Sequence, residues 1–170
     1  PTPPKPATRK KKHINSVPQL MAKPMFARRL SKELKELTMN PPAGVDIIDA
    51  NDFKLWKLGL AGAQGTLYEG EKFQLEFNFG PNYPLESPQV LFVGDNIPIH
   101  PHIYSNGHIC LDVLYNHWSP VQTVASICLS LQSMLSSCTS KERPPDNAAY
   151  IKTARSNPKH TAWAFHDDSV

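Results

Sequence analysis

Residues 100–110 of the chain read HPHIYSNGHIC, with histidines at 100, 102 and 108 and a cysteine at 110. Imidazole and thiol side chains can bind a metal, attack a carbonyl carbon or pack in a turn, so the residue types alone leave several kinds of site open. The segment follows the strand-like part of the sequence and precedes its helix-like part. It therefore joins the two halves of the predicted fold.

The sequence before this segment predicts one helix and then antiparallel strands. Apolar residues recur at helical spacing from residue 25 until Asn40-Pro41-Pro42 stops the helix. Three strand-like runs follow, at 53–60, 73–79 and 90–93, with short stretches of Gly, Pro and Asn between them. Such short connections favour a meander of neighbouring antiparallel strands over βαβ units.

The sequence after the segment predicts helices. Apolar residues at three- and four-residue spacing predict a helix over 121–137, and Cys128 on its apolar face is interpreted as a buried, inert thiol. Two shorter helices are predicted at 148–156 and 161–166. The order of helix, strands and helices is typical of an α+β domain with its helices at the ends or on one face of the sheet.

Length and composition suit one domain of 170 residues with a net charge of +3. Residues 1–24, rich in Pro and Lys, are interpreted as a disordered extension, and residues 25–170 as the folded core with a flexible C-terminal segment. The basic run at 9–12 is interpreted as a solvated tail, with a nuclear-import signal or an acidic partner as alternatives.

Several classes of partner and compartment are not expected. No apolar run approaches the roughly 18–20 residues that span a bilayer, no secretory signal pattern opens the chain, and no nucleic-acid-binding motif is present. We therefore predict neither a membrane nor a nucleic-acid partner. The 3 cysteines are an odd number, which together with the lack of a signal indicates a reducing compartment.

The residues around Cys110 permit three interpretations. Tetrahedral zinc could use the nitrogen and sulfur ligands of His100, His102, His108 and Cys110, although H-x-H…H-x-C matches none of the common zinc spacings. A cysteine hydrolase would pair Cys110 with a histidine, but such pairs usually join distant segments, and no familiar signature surrounds this cysteine. A loop of packed, structural histidines is the third possibility.

A series of motifs over about residues 25–168 resembles the ubiquitin-conjugating enzymes. In order, these are Tyr83-Pro84, Ser87-Pro88-Gln89-Val90, His100-Pro101, YSNGHICLD at 104–112 and Trp118-Ser119-Pro120. With GAQGTLYEG at 62–70, RPPDN at 143–147 and HDD at 166–168, the chain is most similar to the W type, which is associated with modifying the α-amino group of protein N-termini. The resemblance implies the ubiquitin-conjugating (UBC) fold, with an N-terminal helix, an antiparallel β-meander and C-terminal helices.

The same resemblance implies the reaction and its partners. Cys110 would accept ubiquitin from an activating enzyme as a thioester and pass it to a substrate amine, with a RING or U-box ubiquitin ligase. A thiol suits this role because the thiolate is a good nucleophile and a good leaving group. The expected substrates are proteins with flexible N-termini, and the expected location is the nucleus and cytoplasm. A zinc-binding or non-catalytic interaction module is the alternative.

No bound cofactor or metal is expected. The chain has no G-x-x-x-x-G-K-[ST] loop, so ATP and Mg²⁺ would be used by the separate activating enzyme.

His102 departs from most of the family, which has Asn in this place, and agrees with the W type. It could donate a hydrogen bond to the oxyanion, help to remove the amine proton, or only brace the loop. Asp112, Asp146 and Asn147 match regions that flank the thioester and could orient or deprotonate the amine, or act as turn and capping residues. Asp112 stands where the W type is associated with Ser, which leaves its role open.

The resemblance also assigns structural and partner-binding residues. His100, Pro101 and Asn106 would shape the active-site loop. The basic face of the first helix would bind the activating enzyme and the ligase, and two later loops would contact the ligase, with Leu85 where a Phe is common. The residues of this predicted docking surface are Arg28, Arg29, Lys32, Lys35, Leu85, Ser119 and Pro120.

Overall fold

The computed structural model describes residues 25–163, and the predicted extension at 1–24 lies outside them. The elements are α1 (Met25–Met39), β1 (Val45–Asp52), β2 (Leu55–Ala61), β3 (Lys72–Asn78), β4 (Gln89–Val93), α2 (Val124–Ser136) and α3 (Asn147–Thr153). Short 3-10 turns form at Asp112–Leu114 and Pro158–His160. Across these described residues, no helix combines the length and apolar character needed to cross a membrane.

The four strands form one antiparallel sheet in the order β1-β2-β3-β4. Strand β3 alternates strictly, with Phe73, Leu75 and Phe77 buried and their neighbours more exposed, as expected for a sheet with one covered face. The apolar face of α2 packs into the same core. The predicted α+β class and the antiparallel meander are confirmed.

The sequence prediction missed β1. Its sequence VDIIDAND contains three aspartates, and within it only Val45 is fully buried. Its pairing with β2 shifts register twice, between Ile47 and Asp49 and between Asp49 and Asp52. An edge strand of this kind is held by backbone pairing rather than by an apolar pattern of its own. The start predicted for the next strand was also wrong, because residues 53–54 form the turn before Leu55.

The helices after the sheet are shorter than predicted. Helix α2 begins at Val124 rather than 121, because the Thr123 and Ser126 side chains form a capping box with each other's backbone N–H groups. Cys128 is fully buried on its apolar face as predicted, and burial raises the pKa of that thiol to about 12. Helix α3 covers 147–153 instead of 148–156. Residues 161–163 are not helical, and the rest of the helix predicted there lies outside the described residues.

Candidate active site

The segment at 100–110 folds back on itself into a compact loop. Ile103 forms β-bridges with both His100 and Ile109, and the Tyr104 N–H donates to the His108 carbonyl at 2.9 Å. The Cys110 N–H donates to the His102 carbonyl at 2.8 Å. The backbone therefore sets Cys110 directly beside His102.

Gly107 is what allows this loop to lie against the sheet. Its φ is 85°, a conformation that favours glycine, and a Cβ there would lie 1.9 Å from the Phe92 carbonyl oxygen of β4. The Phe92 N–H donates to the Gly107 carbonyl at 3.0 Å. Asn106 closes the turn, since its Oδ1 accepts from the His108 N–H at 3.2 Å.

His100 is buried, and its ring is hydrogen-bonded on both sides. Its Nδ1 accepts from the His102 N–H at 2.9 Å, and its Nε2 lies 3.2 Å from the Met134 carbonyl, so Nε2 carries the proton and donates. Burial, aided by His102, lowers the pKa of His100 to about 4. The ring is therefore neutral near pH 7 and ties the loop to α2.

Cys110 and His102 both line an open cleft of about 400 Å³. Cys110 is half-buried, and all three cysteines, which lie within the described residues, are thiols rather than disulfides. Among the described residues, Asp146 is the one carboxylate that lines the cleft, and the other walls are mostly proline and aromatic side chains. The lining residues are Pro101, His102, Tyr104, Cys110, Pro144, Pro145, Asp146, Tyr150, Thr161, Ala162 and Trp163.

The two residues predicted in the Pro-Pro loop lie differently. Asp146 lines the cleft, and its Oδ1 accepts from the Tyr104 hydroxyl at 3.0 Å. Asn147 does not line it. The Asn147 Oδ1 accepts from the Ser105 N–H at 2.9 Å, and its Nδ2 donates to the Ser105 hydroxyl at 3.2 Å. Asn147 therefore holds the active-site loop from outside the cleft.

Asp112 does not line the cleft either. It begins the 3-10 turn after Cys110 and is buried, and its Oδ2 contacts Nδ1 of His117. Its other oxygen is buried and has no hydrogen-bond partner among the residues that the structure describes. The contact with His117 was not predicted. A spacing of five residues is not a sequence signal for a side-chain contact, and the 3-10 turn that brings the two residues together was not predicted either.

The sequence analysis also did not predict an aromatic cluster that forms part of the cleft wall. The Trp163 ring lies 5.8 Å from that of Tyr104, 5.3 Å from Tyr115 and 5.6 Å from Tyr150. The Tyr115 hydroxyl donates to the Ile109 carbonyl at 2.7 Å, one residue before Cys110. Burial raises the pKa of Tyr115, which therefore stays protonated near pH 7. These aromatic residues are visible in the sequence, but they come from separate segments that only the fold brings together.

Arg143, quoted above only as the first residue of the RPPDN motif, has a structural role that the sequence analysis did not predict. Its guanidinium donates to the carbonyls of Ile97, Pro98 and Ile103 at 3.1, 2.6 and 3.2 Å. Because this one side chain donates to three backbone carbonyls, it fixes the segment that leads into the loop at 100–110. Arg143 thus links the Pro-Pro loop to that segment.

The rings of His100 and His108 are engaged in hydrogen bonds within the protein. Both ring nitrogens of His100 are hydrogen-bonded, and Nδ1 of His108 lies 2.8 Å from the Tyr150 hydroxyl. Burial lowers the pKa of His108. Within residues 25–163, no three His, Cys, Asp or Glu side chains are grouped so that they could hold a metal ion.

The residues of the predicted docking surface lie on α1 and on two loops, and most of them are exposed. Arg28, Lys32 and Lys35 are exposed on α1, and Leu85 is 65 % exposed. Pro120 is exposed and Ser119 half-buried. The two loops are joined because Trp118 Nε1 donates to the Pro84 carbonyl at 2.9 Å.

Arg29 is engaged inside this surface. Its guanidinium donates to the carbonyls of Pro120 and Gln122 at 2.8 and 2.6 Å and pairs with Glu33. Glu33 is buried and accepts from the Tyr83 hydroxyl at 2.6 Å and from the Val124 N–H at 2.8 Å. This pair, which the sequence did not predict, connects α1 to both loops and to the start of α2.

Comparison with known proteins agrees with this geometry. The family described as "Ubiquitin-conjugating enzyme" matches residues 29–165. A zebrafish (Danio rerio) protein named "Probable ubiquitin-conjugating enzyme E2 W-A" is 57 % identical over 145 residues, which cover 84 % of this chain and 96 % of that protein. The "Ubiquitin-conjugating enzyme E2 W" of Caenorhabditis elegans is 55 % identical over 147 residues, covering 84 % and 96 %.

Solved structures show the same fold. The crystal structure of the ubiquitin-conjugating enzyme E2 UbcA1 from Agrocybe aegerita has a TM-score of 0.77 at 47 % identity, and the match covers 79 % of this chain and 99 % of that one. A Plasmodium falciparum ubiquitin-conjugating enzyme has a TM-score of 0.64 at 34 % identity, covering 80 % and 100 %. The chain therefore belongs to the ubiquitin-conjugating enzymes, in their W type, and is a ubiquitin transferase.

Proposed function

We propose that this enzyme carries ubiquitin as a thioester on Cys110 and transfers it to the α-amino group of protein N-termini, adding a single ubiquitin. The observation that supports Cys110 is its place on an open cleft beside His102, whereas Cys128 is fully buried in the core. As a ubiquitin-conjugating enzyme, the protein works with ubiquitin, an activating enzyme and a ligase. Neither a zinc-binding nor a non-catalytic role has support in the geometry or the comparisons.

The proposed chemistry is two acyl transfers. In the first, the Cys110 thiolate attacks the thioester carbon that joins ubiquitin to the activating enzyme, and the activating enzyme's thiolate leaves. In the second, an amine attacks the Cys110 thioester, the Cys110 thiolate leaves, and the amine loses its proton as the amide forms. Both steps pass through a tetrahedral oxyanion, which hydrogen-bond donors stabilise.

His102 is placed to act in the second step. Both of its backbone groups are used, the N–H by His100 and the carbonyl by Cys110, so its backbone is held beside that of Cys110. We propose that the ring, which lines the cleft, donates to the oxyanion or helps to remove the amine proton. Asp146 in the same cleft would orient the amine, whereas Asn147 would act through the loop it holds.

A preference for α-amines follows from weak amine activation. An α-amine has a pKa near 7.7–8.0 and a lysine amine about 10.4, so near pH 7.4 roughly a quarter of the first is neutral against on the order of 0.1 % of the second. An imidazole offers one donor, and only in one tautomer, where the usual Asn amide always offers donors. A site that activates amines weakly would still react with an α-amine, because a larger fraction of α-amines is neutral and therefore nucleophilic.

The remaining assignments rest on the exposed surface and the sequence. A RING or U-box ligase would contact Leu85, Ser119 and Pro120, and the activating enzyme would use Arg28, Lys32 and Lys35, while Arg29 would shape that surface. The substrates would be proteins with flexible N-termini. ATP and Mg²⁺ would be consumed by the activating enzyme, and the enzyme would work in the nucleus and cytoplasm.

Thioester formation tests the role of Cys110. The protein is incubated with activating enzyme, Mg-ATP and ubiquitin, and a thiol-sensitive adduct is expected. The adduct should be absent from Cys110→Ala and present in Cys138→Ala, the matched control. A wild-type protein that forms no adduct, or an adduct that survives in Cys110→Ala, would overturn the assignment.

Mass spectrometry of a modified substrate tests the amine preference. Two forms of one flexible peptide containing a lysine are compared, one with a free N-terminus and one acetylated there. We expect ubiquitin on the free α-amine and little modification of the acetylated peptide. Equal modification of the lysine in both peptides would contradict the preference while leaving the thioester intact.

A further inference from the structure

We propose that His117 is a positioning residue that keeps the Asp112 carboxylate away from the incoming amine, and that this pair favours α-amines over lysine amines. The inference rests on the proposed function, in which the reacting thioester is on Cys110. Asp112 follows Cys110 by two residues at the start of the 3-10 turn, and in the structure its carboxylate is outside the cleft that Cys110 lines.

The backbone of the 3-10 turn brings His117 over Asp112. The Asp112 carbonyl accepts from the N–H groups of Tyr115 and His117, at 2.8 and 3.2 Å. His117 is thereby folded back to the start of the turn, where its Nδ1 contacts the Asp112 Oδ2. The pair is built by the local fold and does not depend on a distant segment.

Burial shows which residue covers the other. The Asp112 side chain is 12 % exposed, whereas that of His117 is 79 % exposed, so the imidazole lies on the solvent side of the carboxylate. The second carboxylate oxygen is buried without a partner in the described part of the chain. A carboxylate with an unsatisfied buried oxygen is unfavourable, so its position depends on the one side-chain partner that it has. Without His117, the Asp112 carboxylate would have no side-chain partner among the described residues, and turning out toward water would provide it with hydrogen bonds.

A released carboxylate beside the thioester would help lysine more than an α-amine. It would attract a protonated amine and accept its proton, and near neutral pH almost every lysine amine is protonated. The Asp146 carboxylate, the one that residues 25–163 place in the cleft, already accepts from the Tyr104 hydroxyl. With Asp112 paired as well, the site offers little help to a protonated amine.

The test measures how loaded enzyme discharges to two nucleophiles. The protein is first loaded with ubiquitin, ATP is removed, and thioester loss is followed with free lysine or with a lysine-free peptide that has a free α-amine. Four variants are compared with wild type: His117→Ala, His117→Asn, Asn116→Ala, and His117→Ala combined with Asp112→Asn. The loading step itself reports that each variant is folded, and His117 is exposed enough for substitution to be tolerated.

We expect His117→Ala to raise the ratio of lysine discharge to α-amine discharge on the order of tenfold, the factor for losing one hydrogen bond to a charged group. His117→Asn should keep the wild-type ratio, because its amide nitrogen replaces Nδ1 as donor. Asn116→Ala, an exposed neighbour, should also keep it. In the double variant the gain should disappear, since there is no carboxylate to release.

Two results would overturn the proposal. One is an unchanged ratio in His117→Ala, and the other is a gain that persists in the double variant. Failure of the wild-type protein to load ubiquitin would instead contradict the role of Cys110, so the two failures are distinguishable.

Discussion

His102 is linked to Cys110 through the backbone, and this leaves its ring available in the cleft. The His102 carbonyl accepts from the Cys110 N–H, and its own N–H is held by His100. A substitution at 102 therefore changes the chemistry of the cleft while the loop keeps its backbone bonds.

We predict that His102→Asn raises discharge to free lysine, on the order of a hundredfold if one oxyanion donor is gained. The Asn amide offers its donors in every protonation state, whereas the imidazole does so in one tautomer only. Single-turnover discharge of the loaded enzyme measures the rate, with His102→Ala as the variant that removes the polar group. Lysine discharge no faster in His102→Asn than in wild type would count against a role of His102 in amine selection.

His100 should make the fold sensitive to acid. Burial lowers the pKa of His100 to about 4, so between about pH 6.5 and 4 the unfolded chain binds a proton that the folded chain does not. The stabilisation is complete above pH 6.5 and is lost as the pH falls toward 4, by up to roughly 3 kcal/mol. The pKa of His108, also lowered by burial, acts in the same direction.

Urea unfolding at several pH values between 7 and 4.5 measures this loss. In the variant His100→Asn, whose Oδ1 can still accept from the His102 N–H, the fall in the free energy of unfolding should be smaller. Identical pH dependence in the two proteins would show that His100 is not the group that titrates.

At the scale of elements, the packing of α1 against the two loops and α2 depends on the buried carboxylate of Glu33. Glu33 joins Arg29, Tyr83 and the start of α2 at Val124, and Arg29 in turn holds the loop at 119–122. The surface predicted to bind the activating enzyme and ligase is therefore assembled around a residue that partners would not touch.

We predict that Glu33→Gln lowers the free energy of unfolding by about 2–3 kcal/mol, because the amide NH₂ would face groups that are themselves donors. Thermal and urea unfolding measure the change, and ligase binding should weaken as well because both loops lose their anchor. The control is Glu36→Gln, an exposed residue on the same helix, which should change stability by less than about 0.5 kcal/mol. Equal effects of the two substitutions would contradict the role of Glu33.

The sequence predicted the elements that carry their own apolar pattern. Strands β3 and β4 alternate regularly between buried and more exposed residues, whereas β2 is buried at three consecutive residues, 58–60. These strands and the helices α1 and α2 were all recognised. Strand β1 was not, because an edge strand with three aspartates is fixed by its pairing with β2. The start of α2 was misplaced because Val121, although apolar, is 81 % exposed, and the Thr123 cap decides where the helix begins.

At the scale of the whole molecule, the cleft is made by bringing together segments far apart in the chain. Pro101 and His102 come from one loop, Pro144 to Asp146 from another, and Trp163 from the end of the described chain. Motif spacing could indicate the loop around Cys110, but no local pattern could predict that Trp163 returns to form a wall. The Glu33 interactions were missed for the same reason, since Tyr83 and Val124 lie far along the chain from Glu33. The Asp112–His117 contact is local, but it depends on the 3-10 turn at Asp112–Leu114, which the sequence analysis did not predict.

We predict that Trp163→Ala shortens the lifetime of the thioester in water several-fold, since removing the indole opens one wall of the cleft and disrupts the cluster with Tyr104, Tyr115 and Tyr150. Hydrolysis of the loaded enzyme measures the lifetime, and near-ultraviolet circular dichroism reports the aromatic packing. Trp163→Phe, which keeps an aromatic ring, should lie close to wild type. An unchanged lifetime in the alanine variant would show that this wall does not shield the thioester.

The three tryptophans of the chain lie in three different functional regions, which makes them separate natural fluorophores. Trp56 is fully buried in the core, Trp118 joins the two loops of the predicted docking surface, and Trp163 lines the cleft. Variants that keep one tryptophan at a time would therefore report unfolding, ligase binding and ubiquitin loading as distinct emission changes. The progress of a complete catalytic cycle could then be followed in solution without attaching a dye.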